Sequence, residues 1–158
     1  MRESEFTSEV MRSLRAQDIW AHKIADAPIS KIKGMKFTLT KPCDIVACAN
    51  GNFIAIETKQ IKKWRAFSIK DMRPSQIVNL SQVVKAGGQA FIFLNVRIPN
   101  EENRLIIIDW GLHGEDLARE SLKADELKIF PYLSGFSVNQ KTFFDLSGQI
   151  FTTMVARG

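Results

Sequence analysis

Residues 42–59 read PCDIVACANGNFIAIETK, and this stretch decides both the fold and the candidate site. Two short apolar runs, residues 43–48 and 53–58, flank the dipeptide Asn50-Gly51. Asn-Gly between two apolar runs is a strong signal for a two-residue turn, so the stretch predicts a β-hairpin.

Charged residues lie at the open end of this hairpin, where the first strand begins and the second ends. Asp44 begins the first strand, and Glu57 and Lys59 end the second. A hairpin folds the intervening chain back on itself and brings the two carboxylates together. Glu57 and Lys59 are two positions apart on one strand, so they share a face. Two carboxylates suit Mg²⁺, with the Thr58 carbonyl as a further oxygen ligand, and an adjacent ammonium suits phosphodiester hydrolysis.

The alternative is a surface ion pair between Glu57 and Lys59, because Glu-x-Lys triplets are common. A second triplet, residues 126–128, lies in a predicted helix and has no upstream hairpin. Residues 53–56 are apolar and predict a partly buried strand, where three unliganded charges are costly. The hairpin triplet is therefore the candidate functional site.

Outward from the hairpin, helices and strands follow each other in an α/β order. The predicted fold is a mixed central β-sheet flanked by helices, in one domain over residues 1–158. Helices are predicted at 4–16, from Pro74 to the stop at Gly87-Gly88, and at 114–128; strands at 19–24, 90–96 and 105–110; and a long connection at 26–41.

Composition narrows the class of protein. Hydrophobic residues make up 45% and charged residues 25% of the chain, as in an ordinary globular domain. No apolar run reaches the length of a membrane span, and the charged N-terminus does not resemble a secretory signal, so we expect a cytoplasmic location. Cys43 and Cys48 fall on opposite faces of one strand and are expected to be free thiols. With only His22 and His113 besides, a zinc site is not expected.

The net charge of +5 is unevenly distributed. Residues 1–98 carry 16 Lys and Arg against 8 Asp and Glu, whereas residues 99–158 carry 6 against 9. The basic part is the candidate face for nucleic acid, and the alternative is a solvated surface with an ordinary lysine excess. The basic residues that flank the hairpin are the predicted phosphate contacts: Lys31, Lys33, Lys36, Lys41, Lys62, Lys63, Arg65, Lys70 and Arg73.

Trp64 stands in the middle of the second basic segment. It either stacks on an exposed base or covers the edge of the core or a dimer interface, and packing is the favoured interpretation. No helix-turn-helix or zinc-finger pattern indicates base reading, so recognition by DNA shape is the consistent expectation.

The motif Pro42-Cys43-Asp44, the hairpin and Glu57-Thr58-Lys59 resemble the PD-(D/E)xK nuclease superfamily, with its restriction-endonuclease-like core. The basic segment with Trp64, Pro74-Ser75-Gln76-Ile77 and the following helix and strand narrow the resemblance to RecU-type and phage Holliday-junction resolvases. The resemblance covers roughly residues 5–110.

This resemblance implies that Asp44 and Glu57 hold Mg²⁺ or Mn²⁺ and that Lys59 is catalytic. It also implies a glutamate on the first helix near the metal. Glu9 is the first choice, and Glu5 is the alternative. Gln76 matches a glutamine that begins the helix after the active-site strands, and it either contacts the attacking water or the scissile phosphate or is only a polar residue of the first turn.

The expected function is therefore that of a metal-dependent, structure-specific endonuclease that cuts four-way DNA junctions and leaves 5′-phosphates. A four-way junction has two equivalent strands to cut, so the expected assembly is a homodimer. The alternatives are another nuclease of the superfamily, of restriction or exonuclease type, and a non-catalytic nucleic-acid-binding module. The sequence departs from the family in two places: residues 26–41 are shorter than the insertion that enters the junction in RecU proteins, and Cys43 rather than proline precedes Asp44.

Overall fold

The computed structural model describes residues 2–26 and 41–146, and between them the backbone of two short strands. One short 3-10 helix, Ile69–Asp71, lies within the basic segment that follows Lys59. The elements in chain order are helix α1 (Glu3–Ala16), strands β1 (Trp20–Lys23), β2 (Ser30–Ile32), β3 (Met35–Phe37), β4 (Ile45–Ala49) and β5 (Asn52–Ile61), helix α2 (Pro74–Lys85), strands β6 (Gln89–Val96) and β7 (Arg104–Asp109), helices α3 (Trp110–Arg119) and α4 (Ala124–Ile129), and strands β8 (Tyr132–Val138) and β9 (Lys141–Phe144).

Seven strands form one sheet in the order β1-β4-β5-β6-β7-β8-β9. β5 and β6 run parallel and are connected through α2, whereas the other neighbouring pairs are antiparallel. Helices pack on both faces of this sheet, so the predicted α/β fold with a mixed central sheet is confirmed.

The predicted hairpin is β4 and β5. Asn50 and Gly51 form its turn with φ angles of 52° and 77°, the left-handed region that Asn and Gly tolerate best. Cys43 is buried and Cys48 is exposed, and both are free thiols as predicted. No helix of the described chain is long and apolar enough to cross a membrane.

Each face of the sheet has its own hydrophobic cluster. On one face, α1 buries Phe6, Val10 and Leu14 in a cluster that contains Ile54 and Ile56 of β5. On the other face, α2, α3 and α4 contribute Leu80, Trp110, Leu117 and Leu127 to a cluster with Ala55 and Ile92. All eight residues of β6 are buried, as expected of a central strand covered on both sides.

The helix predicted at 114–128 is wrong in its bounds and its continuity. α3 already begins at Trp110, because the Asp109 carboxylate accepts the backbone N–H groups of Gly111 and Leu112 and caps the helix. The helical stretch is then broken where Leu122 exchanges two backbone hydrogen bonds with Phe67 of the basic segment. This tertiary pairing removes Leu122 from the helical pattern.

Two hairpins were not predicted. Residues 26–41 were expected to be a connection, but β2 and β3 pair within them as a separate two-stranded sheet. β8 and β9 extend the main sheet at its far edge, and their turn at Asn139-Gln140 has φ angles of 49° and 62°. β8 carries little apolar alternation because most of its residues are exposed or half-buried, so the periodicity signal is weak.

Candidate active site

The pairing of β4 with β5 places Asp44 next to Glu57. The register pairs Ile45 with Ile56, and the Asp44 backbone N–H donates to the Ile56 carbonyl at 3.1 Å. The hairpin therefore brings the two acids to the same end of the strand pair, where β4 begins and β5 extends past it, paired only with β6.

Thr58 fixes the orientation of the Asp44 carboxylate. Asp44 Oδ2 accepts the Thr58 backbone N–H at 2.9 Å and the Thr58 hydroxyl at 2.8 Å. The other oxygen, Oδ1, lies 2.7 Å from the Lys41 ammonium. Burial opposes ionisation, but the hydrogen bonds from Lys41 and Thr58 outweigh it and lower the pKa of Asp44 below its usual value. Asp44 is thus an oriented, ionised carboxylate.

The Lys41 ammonium bridges two acids, since it also lies 2.8 Å from Asp26 Oδ1. Burial alone would lower the pKa of Lys41, but the hydrogen bonds to Asp26 and Asp44 raise it to about 12. Lys41 was predicted to contact DNA phosphates. Its ion pair with Asp44 places this positive charge at the candidate site, and its contact with phosphates stays a prediction.

Glu57 is the most deeply buried charged group of the site, with 1% of its surface exposed. Its Oε1 accepts a hydrogen bond from the Gln76 side-chain amide and lies 3.7 Å from the Lys59 ammonium. Its Oε2 is buried and has no hydrogen-bond donor among the described residues. Burial, and secondarily the negative charge of Asp44, raises the pKa of Glu57 to about 8.

Gln76 links this carboxylate to the start of α2. Its Oε1 accepts the Arg73 backbone N–H at 2.8 Å and thereby caps the helix, while its amide donates to Glu57. Gln76 is thus a first-turn polar residue that also contacts Glu57, and its contact with the attacking water or the scissile phosphate stays a prediction.

Helix α1 contributes residues that sequence reasoning missed. The Thr7 hydroxyl lies 2.7 Å from the Thr58 hydroxyl, which connects the helix to Asp44. Burial raises the pKa of Glu3. The charge of Lys59 lowers it and the charge of Asp44 raises it, so Glu3 is within electrostatic reach of the site. A signal was available: residues 3, 7, 10 and 14 recur at helical spacing on the face that packs on the sheet.

The structure does not bring Glu9 or Glu5 to these groups. Glu9 is buried and pairs with Arg97, whose guanidinium nitrogens lie 3.2 and 2.7 Å from its two oxygens. Glu5 is exposed and accepts the Arg2 backbone N–H at the start of α1. On this helix Glu3, three residues before the apolar ridge begins at Phe6, is the glutamate whose pKa the charges of the site perturb.

Besides Lys41 and Trp64, the predicted DNA-binding residues fall into three groups. Lys33 lies outside the described residues, and the side chains of Lys31 and Lys36 are not described. Arg65 forms a salt bridge with Asp71 at 2.9 Å. The exposed members of the set are Lys62, Lys63, Lys70 and Arg73.

Trp64 packs within the chain, in line with the favoured interpretation. Its indole N–H donates to Glu101 at 2.9 Å, and the Arg104 guanidinium and the Lys128 ammonium lie 5.5 and 5.8 Å from the ring centroid. The second Glu-x-Lys triplet, residues 126–128, lies in helix α4, as its predicted helical position requires.

A mixed sheet that presents Asp44, Glu57 and Lys59 together is the arrangement that defines the PD-(D/E)xK nucleases. Residues 17–128 match the family model of RecU, described as recombination protein U. This match covers more than half of the chain, and the chain belongs to the RecU family.

The individual relatives share only low sequence identity with this chain. The chain is 26% identical over 104 residues to proteins named Holliday junction resolvase RecU from Streptococcus pneumoniae serotype 19F (strain G54) and from strain 70585. The match covers 65% of this chain and 52% of each relative, so the chain spans about half the length of these relatives. The Archaeoglobus fulgidus Holliday junction resolvase Hjc is similar in structure with a TM-score of 0.42 and 20% identity, over 78% of this chain and 98% of Hjc, a likeness too low to bear on function.

Proposed function

We propose that this protein is a divalent-metal-dependent, structure-specific DNA endonuclease that hydrolyses phosphodiester bonds in four-way junctions. The observation that carries the proposal is the Glu57 carboxylate, which is buried beside Asp44 with one oxygen lacking a hydrogen-bond donor in the described chain. Two neighbouring buried acids are unfavourable without a cation, so the arrangement fits a site built for one.

The donor set fits Mg²⁺ or Mn²⁺. Among the described residues no three His, Cys, Asp or Glu side chains converge on one point. Asp44 and Glu57 would hold the ion, and water would complete its shell. The Thr58 carbonyl is a third oxygen candidate. In an extended strand the N–H and C=O of one residue point to the same side, and the Thr58 N–H points to Asp44.

The surrounding residues have separable roles in this proposal. When bound, a divalent metal stabilises charge on the phosphate and supplies a water of lowered pKa. Gln76 holds Glu57 in place through one hydrogen bond. The Lys59 ammonium, close to Glu57 Oε1, is placed to orient the attacking water and to stabilise the charge that develops on the phosphate.

Lys41 forms an ion pair with the carboxylate oxygen of Asp44 that a metal ion would also need. Its ammonium is held by Asp44 Oδ1, one of the oxygens required for metal ligation, and Asp26 offers it a second partner. A metal ion held by Asp44 would displace Lys41 from Oδ1, and Asp26 would retain the ammonium. It then lies beside the site as a positive charge for the incoming phosphate backbone.

The assembly proposed is a homodimer. A four-way junction contains two equivalent strands to cut, and a two-fold dimer presents two equivalent active sites to them. Shape recognition is expected rather than base reading, because the proposed contacts are basic side chains directed at phosphates.

The test of this function is cleavage of a synthetic four-way junction with Mg²⁺, Mn²⁺ or EDTA, compared with a flap, a linear duplex and a single strand of matched length. The expected result is paired nicks in the junction that appear only with metal and carry 5′-phosphates. Faster cutting of linear duplex would indicate a restriction-type or exonuclease activity instead. Metal-independent binding without any cleavage would indicate a binding module.

The variants Glu3→Gln and Glu9→Gln test which of these two glutamates on α1 acts on the site. Glu3→Gln is expected to reduce metal-dependent cleavage about tenfold with little change in thermal stability, because Glu3 is only partly buried and acts on the site electrostatically. Glu9→Gln is expected to destabilise the fold by about 2 to 4 kcal/mol, because it removes the buried negative charge that pairs with Arg97. Urea unfolding and single-turnover cleavage are measured on both variants, and the reverse pattern would restore Glu9 as the residue of the site.

A further inference from the structure

We propose that a basic groove between α1 and β1 binds a segment of DNA backbone next to the scissile phosphate. This α1–β1 groove has a volume of about 430 Å³ and is lined by Ser8, Met11, Arg12, Arg15 and Lys23. None of these residues belongs to the basic segments that flank the hairpin. The inference rests on the proposed nuclease function and adds a second DNA-contacting surface to it.

The positive charges of the groove are not neutralised by any described residue. Arg12, Arg15 and Lys23 form no salt bridge with the described residues, and no carboxylate of the described chain lines the groove. The acids of α1 are engaged elsewhere, since Glu9 pairs with Arg97 and Glu5 accepts the Arg2 N–H at the helix start. Three like charges around one concave surface favour a polyanionic ligand.

Arg12 is held in position by neutral partners. Its Nη1 donates to the Thr142 carbonyl at 2.9 Å, and its guanidinium lies 5.6 Å from the centroid of the Phe143 ring. These contacts restrict the side chain but leave its charge and its other N–H groups available. An arginine preorganised in this way loses less conformational entropy when it binds a phosphate.

Both walls of the groove begin at the candidate site. Lys23 on β1 pairs with Ile45, the residue after Asp44, and the next residue, Ile24, donates its N–H to the Asp44 carbonyl at 2.8 Å. On the helix side, Ser8 follows Thr7, which contacts Thr58 of the site.

From Ser8 the groove runs along α1 to Arg15, a length of about 10 Å, comparable to the rise of about three nucleotides in one strand. No aromatic ring lines it for base stacking. The chemistry therefore fits the sugar-phosphate backbone of a duplex arm rather than an unpaired base.

The test uses the double variant Arg15→Ala/Lys23→Ala, in which Arg12 is kept because it also contacts β9. The matched control is Lys85→Ala/Arg119→Ala, which removes the same charge from the last turns of α2 and α3, whereas Gln76 lies at the opposite end of α2. Binding of a fluorescent junction is measured with Ca²⁺ in place of Mg²⁺ over a series of salt concentrations. The groove variant is expected to bind on the order of tenfold more weakly and to lose about two units of the log–log salt slope.

The outcomes separate the groove from the proposed function. Binding and salt slope equal to those of the control variant would overturn the groove, whereas junction cleavage by the unmodified protein would still support the nuclease. If the unmodified protein binds DNA with the expected dependence on Arg15 and Lys23 but cuts nothing with metal, the groove stands and the nuclease proposal fails. Equal thermal stability of the two double variants excludes unfolding as the cause.

Discussion

Asp44→Asn is expected to lower the single-turnover rate of metal-dependent junction cleavage by about a thousandfold, corresponding to roughly 4 kcal/mol of lost transition-state stabilisation. The asparagine carbonyl can still accept the Thr58 N–H and hydroxyl, so the hairpin end keeps its geometry. What is lost is the negative charge of Oδ1, the atom that now faces the Lys41 ammonium at 2.7 Å. The substitution therefore removes a metal ligand and leaves the fold in place.

The matched control is Asp26→Asn, which removes the other partner of Lys41 but no group of the site. Its cleavage rate is expected to stay within a few-fold of the unmodified protein, with a somewhat higher metal concentration needed, because Lys41 then depends on Asp44 alone. Junction affinity in Ca²⁺ or EDTA is measured for both variants and is expected to be retained. Cleavage by Asp44→Asn at the unmodified rate would remove Asp44 from the mechanism.

The convergence of Asp44, Glu57 and Lys59 was predictable because it depends on local geometry. An Asn-Gly turn fixes the register of the two strands, and the register fixes which residues lie opposite each other. The alternation of side chains along β5 then places Lys59 on the face of Glu57. No information beyond these 18 residues was needed to bring the three groups together.

The choice of helix glutamate was not predictable in the same way. Glu3, Glu5 and Glu9 all lie on one amphipathic helix, and periodicity shows which face meets the sheet but not how far along the sheet the helix is placed. That position is set by tertiary contacts, the Thr7–Thr58 hydrogen bond and the Glu9–Arg97 ion pair, whose partners are 51 and 88 residues away in sequence. The same limit applies to Lys41, whose partners follow from the path of the chain before β4.

The last third of the fold carried weaker signals. α3 and α4 were predicted as one helix because the break at Leu122 depends on Phe67, a residue far away in sequence. β8 and β9 lie at the edge of the sheet with mostly exposed or half-buried side chains, so little apolar alternation marks them. Central strands such as β6 are recognisable because burial on both faces makes them continuously apolar.

Glu57→Gln is expected to abolish metal-dependent cleavage and yet to stabilise the protein above neutral pH when EDTA is present. The glutamine resembles the protonated form of Glu57. Its carbonyl accepts the Gln76 amide as the carboxyl does. It therefore removes the buried charge but keeps this hydrogen bond.

The sign of the pH dependence follows from the raised pKa. In the folded protein Glu57 has a pKa of about 8, against the ordinary value of 4.5. The folded state thus binds the proton more tightly, so the stabilisation is complete below the ordinary pKa and is lost as the pH rises through the folded value. Between about pH 5.5 and about pH 8.5 the expected loss is about 3 kcal/mol for the unmodified protein, and it should be nearly absent in Glu57→Gln.

The measurement is urea unfolding of both proteins over this pH range, with EDTA and separately with Mg²⁺. Below about pH 8.5 the Cys43 thiol adds little, because burial raises its pKa to about 11. Metal should restore stability to the unmodified protein at high pH, with release of about one proton per ion near neutral pH, and should leave Glu57→Gln unchanged. Parallel stability curves for the two proteins in EDTA would mean that Glu57 ionises normally, and the strained pair of carboxylates on which the metal site rests would not exist.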